Sequence, residues 1–188
     1  MIEIVPYRET WPAEFRSIAS ALRRVLGPMA LRIDHIGSTS VPGLVAKDVI
    51  DAQIAVAALD EGVVSAVGSL GYTLREGLRR DHRPPGFSGP ENEWEKLFFL
   101  QPAGQRRTNL HVRVLGRANQ RYALLFRDFL RAHAATAEAY GELKRRLAQN
   151  LADPNTYSDV KDPAVDLIIF AAEAWAEATN WQPAGTDA

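Results

Sequence analysis

The sequence has no cysteine, so it cannot form disulfide bonds, thiolate zinc sites or cysteine nucleophiles. No apolar stretch approaches the ~20 residues that a membrane-spanning helix requires. The first residues also lack the basic segment and long apolar run of a secretory signal. These absences predict a cytoplasmic protein that does not bind membranes.

Neither sign of charge dominates, because 22 basic side chains stand against 23 acidic ones. A near-neutral chain lacks the broad positive surface that attracts duplex nucleic acid. This disfavours nucleic acid as a partner but leaves a local basic patch open. The densest basic cluster contains Arg79, Arg80, His82 and Arg83. For this cluster we favour a solvated, mobile loop over a nucleic-acid site.

Hydrophobic periodicity switches between that of strands and that of helices along the chain, and is helical in the last third. It predicts strands over residues 2–5, 31–36, 49–56, 96–101 and 108–115, helices over residues 11–26, 60–70, 119–133, 136–151 and 163–179, and an exposed loop over residues 79–92. This order is typical of an α/β or α+β fold with a mixed sheet. We predict a single domain over residues 1–181, with its sheet core at about 29–116, a helical part at about 119–179 and a flexible tail at 182–188.

A turn rich in glycine and hydroxyl groups separates two of the predicted strands. Gly37 lets the backbone leave the first strand sharply, and Ser38, Thr39 and Ser40 follow it. The free amides and hydroxyls of such a turn can bind an anion such as a phosphate. Asp51 lies on the polar face of the next strand, where a carboxylate beside a bound phosphate could hold a divalent metal. A self-capped turn and a structural aspartate remain open as the alternative explanation.

The same segment resembles a known family. The run from His35 to Leu44, together with Lys47 and Asp51, is similar to the signature of the GrpB family, which is regarded as a branch of the nucleotidyltransferase superfamily. The resemblance covers nearly the whole chain except the 79–92 loop and the tail. It continues through residues 109–112 and 126–133, and through Tyr140, Leu143, Lys144, Tyr157 and Lys161.

The superfamily resemblance implies that Gly37 and Ser38 contact nucleotide phosphates. It also implies two carboxylates two residues apart on the following strand and a third on a neighbouring strand, which together hold two metal ions. Asp51 matches the first carboxylate, whereas Gln53 stands at the second position and His111 at the third. Asp51 and His111 could therefore hold one divalent ion (Mg, Mn or Zn) and form the catalytic pair. A hydrogen-bonded histidine near a cleft is the alternative for His111.

Two lysines of the resembling positions extend the predicted phosphate site. Lys47 follows the turn, and Lys161 comes shortly before the predicted start of the last helix. An ammonium group can pair with a phosphate as a point charge. A solvated surface lysine is the alternative for Lys47, and helix capping or solvation is the alternative for Lys161.

Three hypotheses for function follow. The first is metal-dependent nucleotidyl transfer from a nucleoside triphosphate to an unknown hydroxyl or phosphate acceptor. The second is a non-catalytic or accessory domain that holds a nucleotide or a CoA-like phosphate compound, which the neutral Gln53 favours. Domains resembling this one occur fused to dephospho-CoA kinase, but fusion is an association rather than a mechanism. A protein-interaction role for the helical part ranks last, because no apolar partner stripe is evident.

Overall fold

The computed structural model describes residues 2–186, except for the side chain of Pro154. Two α-helices are interspersed among five strands up to residue 114, after which three α-helices follow within the described residues, as the periodicity predicted. In chain order, the elements are α1 (Trp11–Leu26), β1 (Arg32–Ile36), β2 (Ile50–Val56), α2 (Glu61–Gly68), β3 (Thr73–Leu74), β4 (Leu97–Leu100), β5 (Thr108–Val114), α3 (Ala118–Ala132), α4 (Ala134–Asn150) and α5 (Tyr157–Thr179).

The strands form one sheet in the order β1-β2-β5-β4-β3. β2 and β5 pair in parallel, and the other neighbours pair antiparallel, so the predicted mixed sheet and α/β class are confirmed. The parallel register sets Asp51 opposite Asn109 and Gln53 opposite His111. Because side chains alternate between the faces of a strand, these four side chains share one face of the sheet.

Two separate apolar clusters stabilise the domain. The first lies on one face of the sheet, where α1 and α2 cover buried side chains such as Ile50 and Ile54, and where Phe15 stacks on His35 with ring centroids 4.7 Å apart. The second joins α3, α4 and α5 around side chains that include Phe129 and Ile169. The polar face of the sheet therefore lies between two regions that bury their own apolar surface.

The structure differs from the predicted elements at both ends of the chain. Residues 2–5 form no strand and contribute only an isolated bridge from Val5 to Ala46. α5 begins at Tyr157 rather than at Pro163, which lies inside the helix. A proline is favoured in the first helical turn, but here burial of Tyr157 and Val165 along one face extends the helix backwards past Pro163. Lys161 is therefore a helical residue and does not precede the helix.

The tail that was predicted to be flexible contacts β1 over its described part. The Thr186 hydroxyl hydrogen-bonds with the backbone N–H and carbonyl of Ile33, and Arg32 donates to the carbonyl of Ala184 at 3.1 Å. These contacts cover backbone groups on the outer edge of the sheet, where an unpaired strand would otherwise be exposed. Asp187 and Ala188 lie outside the described residues.

Across residues 2–186, no helix combines the length and the apolar character that spanning a membrane would need.

Candidate functional site

A cavity of about 450 Å³ opens between the polar face of the sheet, α4 and α5. It brings the turn after β1 together with the side chains of Asp51 and His111, which were predicted to share a pocket. Of the predicted site residues, the cavity is lined by Gly37, Ser38, Thr39, Lys47, Asp51, His111 and Lys161. Ser40 is buried and does not line it.

The turn passes directly over the Asp51 carboxylate. Gly37 has a φ of +69°, and a Cβ at this position would lie 2.5 Å from Oδ2 of Asp51. Only glycine combines this backbone angle with so close an approach. Asn109 donates from Nδ2 to Oδ1 of Asp51 at 2.8 Å and so orients the carboxylate. The glycine- and hydroxyl-rich turn and the Asp51 carboxylate are therefore directly adjacent.

The three hydroxyls of the turn have different roles. The Ser38 hydroxyl faces the cavity and accepts a hydrogen bond from Nζ of Lys144 at 2.8 Å. The Thr39 hydroxyl is buried between Nε2 of His35 and the carbonyl of Val49. The Ser40 hydroxyl donates to the carbonyl of Gly37 at 2.6 Å. Thr39 and Ser40 therefore hold the shape of the turn, and only Ser38 offers its hydroxyl to a ligand.

His111 lies beside Asp51, with 3.7 Å between its Nε2 and Oδ1 of the carboxylate. Burial lowers the pKa of His111 to about 4, so the ring is neutral at pH 7. Its Nδ1 lies 3.3 Å from Nη2 of Arg113. Because a guanidinium can only donate, this contact assigns the ring proton to Nε2, where it points towards Asp51. Direct binding of a metal through Nε2 would require His111 to give up its contact with Arg113.

Gln53, at the second carboxylate position of the superfamily, is fully buried. Its Oε1 accepts from Nη1 of Arg113 at 2.6 Å, and its Nε2 donates to the carbonyl of Gln120 at 3.2 Å. Both ends of the amide are used inside the protein, so Gln53 has no free atom for a second metal. Among the described residues, no cluster of three or more histidine, aspartate and glutamate side chains could hold a metal ion.

A half-buried carboxylate from the 79–92 loop, that of Asp81, also lines the cavity. Asp81 accepts hydrogen bonds from Arg113 at 2.8 Å and from Lys96 at 2.6 Å. Burial opposes ionisation, but the cations of Arg113 and Lys96 outweigh it and hold the pKa of the Asp81 carboxyl well below its usual range. The neighbouring His82 contacts Asp166 of α5 at 2.9 Å. The loop therefore spans the cavity from the sheet to α5.

The arginines of the basic cluster in this loop pair with groups of the same chain. Arg79 pairs with Glu76, and Arg80 pairs with Glu91 at 2.5 Å. Arg83 donates to the carbonyl of a residue in the same loop, Phe87. Each of these side chains has a partner within the chain, and all three are exposed to solvent, as the sequence predicted.

Lysine is rare in this chain, and its distribution is unusual. The sequence contains four lysines and eighteen arginines. All four lysines line the cavity, whereas Arg113 is the only arginine that does so among the described residues. The four are Lys47, Lys96, Lys144 and Lys161.

Burial lowers the pKa of every one of these lysines. For Lys144, which is 3% exposed, burial and the nearby charge of Lys161 lower the pKa to about 7. The pKa values of Lys47, Lys96 and Lys161 are also below their ordinary range, first because of burial. Lys96 is neutralised by Asp81, but the ammonium of Lys47 lies over the ring of Tyr157, 3.8 Å from its centroid.

The cavity therefore has a positive character. Its lining contains four lysines and one arginine against three aspartates, one of which, Asp81, is already bound by two of the cations. Desolvated cations in a concave site attract anions strongly. The arrangement can bind a phosphate-bearing molecule close to the Gly37-Ser38 turn.

Two of the lining lysines, Lys96 and Lys144, were not predicted as site residues. Lys144 belongs to the family resemblance, but on its own it looks like an ordinary polar position of a surface helix. One signal was available in the sequence. Where arginine supplies nearly all the positive charge, four isolated lysines stand out as positions where a compact ammonium is needed.

Comparison with known proteins identifies the relatives of this chain. Residues 1–170 match the family model described as GrpB protein. The chain belongs to the GrpB family. Its relatives include a UPF0157 protein of Halalkalibacterium halodurans, 36% identical over 92% of this chain and 83% of that protein. The crystal structure of conserved protein GrpB from Enterococcus faecalis superposes with a TM-score of 0.74 at 28% identity, covering 92% of this chain and 99% of the other.

Other GrpB-family relatives are longer proteins. A dephospho-CoA kinase of Mycolicibacterium paratuberculosis is 35% identical over 97% of this chain but over only 48% of the kinase. The dephospho-CoA kinase of Mycobacterium leprae gives a similar match, 34% identical over 46% of its length. The chain thus spans about half the length of these curated relatives.

The close approach of Gly37 to Asp51 can be tested by substitution. We expect Gly37→Ala to lower the free energy of unfolding by about 3 kcal/mol, because it adds a collision to a left-handed backbone angle. Gly43→Ala is the matched control, since Gly43 has a φ of +77° but no atom within 4 Å of the place that an added methyl group would take. It should cost only about 1 kcal/mol. Urea denaturation measures both, and equal losses would contradict the close approach.

Proposed function

We propose that this GrpB-family domain binds a phosphate-bearing small molecule, either a nucleotide or a CoA-like compound, in the lysine-lined cavity. The observation that carries the proposal is that all four lysines of the chain line one cavity. Burying ammonium groups costs free energy unless an opposite charge compensates them. A bound phosphate would supply that charge.

The turn after β1 supplies the directional contacts for such a ligand. The Ser38 hydroxyl faces the cavity, and the backbone N–H groups of Ser38 and Thr39 donate to no other group within residues 2–186. These donors would bind polar oxygens of the ligand, and the ammonium groups of Lys47 and Lys161 would bind its phosphate oxygens. A volume of about 450 Å³ lies within the range of small-molecule sites.

Part of the cavity lining is apolar and aromatic. Leu78, Phe98, Phe126 and Val165 contribute to it. This surface would receive the base or another uncharged part of the ligand. A CoA-like ligand also fits the relatives named dephospho-CoA kinase, in which a domain similar to this one makes up about half of the protein. The cytoplasmic location that the sequence predicts stays a prediction.

Binding can be tested by calorimetry with ATP, CoA and dephospho-CoA. We expect at least one of them to bind, and we expect Lys161→Met to weaken that binding about 10- to 100-fold, the effect of one charge-assisted hydrogen bond. Arg16→Met is the matched control, because Arg16 is an exposed cation on α1, away from the cavity. It should leave the affinity unchanged. Absence of binding for all three compounds, or equal effects of the two variants, would refute the proposal.

A second candidate function is metal-dependent nucleotidyl transfer. It is supported by Asp51, whose carboxylate lies directly under the Gly37-Ser38 turn. Asp51 would hold the cation, and His111 could join it after releasing Arg113. Mg, Mn or Zn would screen the triphosphate charge when bound. The donor set suits one cation at most, because Gln53 is fully engaged with Arg113 and α3.

Transfer can be tested with an α-³²P-labelled nucleoside triphosphate, a divalent metal and a panel of hydroxyl and phosphate acceptors. For this second function we expect a labelled product and a loss of at least about 100-fold in rate for Asp51→Asn. Asp159→Asn is the control, because Asp159 is an exposed carboxylate on α5 that does not line the cavity. Wild-type protein that binds nucleotide but forms no labelled product would leave binding as the function.

A further inference from the structure

Three side chains meet at the end of the cavity beneath the Gly37 turn. Nζ of Lys144 lies 2.8 Å from Oγ of Ser38 and 4.7 Å from the centroid of the Tyr140 ring. Tyr140 and Lys144 are four residues apart on α4, so they extend from the same face of the helix. Phosphate binding alone needs a charged lysine, and a solvated one would serve. It does not explain why Lys144 is almost completely buried.

Burial changes what Lys144 can do. Desolvation, together with the charge of Lys161, lowers the pKa of Lys144 to about 7. Close to neutral pH, a substantial fraction of the amine is therefore uncharged and can accept a proton. Lys144 also hydrogen-bonds to the carbonyl of Val45, which holds the amine in place. Burial raises the pKa of Tyr140, so its phenol stays neutral and can act as a hydrogen-bond donor.

The groups around Ser38 are suited to stabilise the negative charge that develops on a carbonyl oxygen when the Ser38 hydroxyl attacks the carbonyl carbon. The N–H groups of Ser38 and Thr39 belong to cavity-lining residues and have no acceptor among the described residues. Two such donors next to a nucleophilic hydroxyl are the components of an oxyanion hole. A serine with a buried lysine as its base is a known variant of the serine–histidine–aspartate arrangement.

We propose that Ser38 is a nucleophile activated by Lys144, and that the site hydrolyses an acyl thioester carried on a phosphate-bearing thiol. The phosphate and thiol parts of this substrate class rest on the proposed function, since the cationic cavity selects a negatively charged carrier and a CoA-like compound ends in a thiol. The acyl part rests on the Ser38–Lys144 pair itself. The phosphate would lie beside Lys47 and Lys161, and the acyl carbon would lie at Oγ of Ser38 with its oxygen towards the N–H groups of the turn.

The reaction balances with water as the second reactant. Oγ of Ser38 attacks the acyl carbon, forming an ester bond while the carbon–sulfur bond breaks. The hydroxyl proton passes to the neutral amine of Lys144 and then to the leaving thiolate. Water next attacks the Ser38 ester, giving the free acid and restoring the hydroxyl. Lys144 accepts and returns one proton in each half of the cycle.

A fluorophosphonate probe tests the nucleophile without requiring the natural substrate. We expect a single adduct, mapped by peptide mass spectrometry to Ser38, whose rate of formation rises with pH around a midpoint near 7. Ser38→Ala should abolish the adduct, and Lys144→Met should slow its formation by at least about 100-fold, the effect of a general base. Ser158→Ala is the matched control, because Ser158 lines the same cavity without a lysine partner. It should be labelled like wild type.

Two further measurements distinguish the loss of a base from the loss of the fold. Lys144→Arg retains the positive charge without a titratable base, so slow labelling in this variant too would assign the loss to the missing base rather than to unfolding. The pH profile of the wild type needs no variant. No adduct at Ser38, or a rate that stays flat through pH 7, would overturn the nucleophile. Calorimetry on the same preparations separates the two proposals. A wild-type protein that binds nucleotide but is not labelled at Ser38 would refute the nucleophile and leave the proposed binding function in place.

Discussion

Keeping four ammonium groups in one cavity is the constraint on which the site depends. Each lysine is partly or almost wholly removed from water, and their charges repel one another: the charge of Lys161 lowers the pKa values of both Lys47 and Lys144. The protein offsets part of this cost with the Asp81 carboxylate, with the ring of Tyr157 and with a backbone carbonyl. The remaining positive charge is what makes the cavity selective for anions.

The fold can sustain such a cavity because its apolar burial lies elsewhere. One apolar cluster is enclosed between α1, α2 and the sheet, and the other joins the last three helices. The polar face between them does not need to supply hydrophobic stabilisation. It is instead organised by Arg113, which binds Asp81, Gln53 and His111 together. A guanidinium suits this role, because its planar fork donates to several acceptors at once.

The parts of the fold that could be predicted from the sequence are those determined by residues close together along the chain. The helical stripe of α1 and the alternation of β2 and β5 gave their elements to within a residue or two. The turn after Gly37 was evident from its composition, and its position beside Asp51 and His111 agrees with the predicted common pocket.

The remaining features depend on tertiary contacts between residues far apart in the sequence, which the pattern of a short segment cannot indicate. Asp81 belongs to a loop of charges, prolines and glycines, and only the fold directs it to Arg113. The roles of Tyr140 and Lys144 require α4 to pass under the turn, roughly a hundred residues earlier in the chain. Likewise, the sequence could not show that both ends of the Gln53 amide are hydrogen-bonded within the protein. The bond to Arg113 depends on the parallel register of β2 and β5.

Nuclear magnetic resonance of protein labelled only in its lysines tests the central claim most directly, because each of the four lysines gives its own signal. We predict that Lys144 titrates near pH 7 in the free protein. A bound phosphate compound should shift all four signals and raise the pKa values of Lys47 and Lys161, since a nearby anion favours the charged amine. Four lysines that titrate near 10.5, with signals unmoved by ATP, CoA or dephospho-CoA, would contradict the claim.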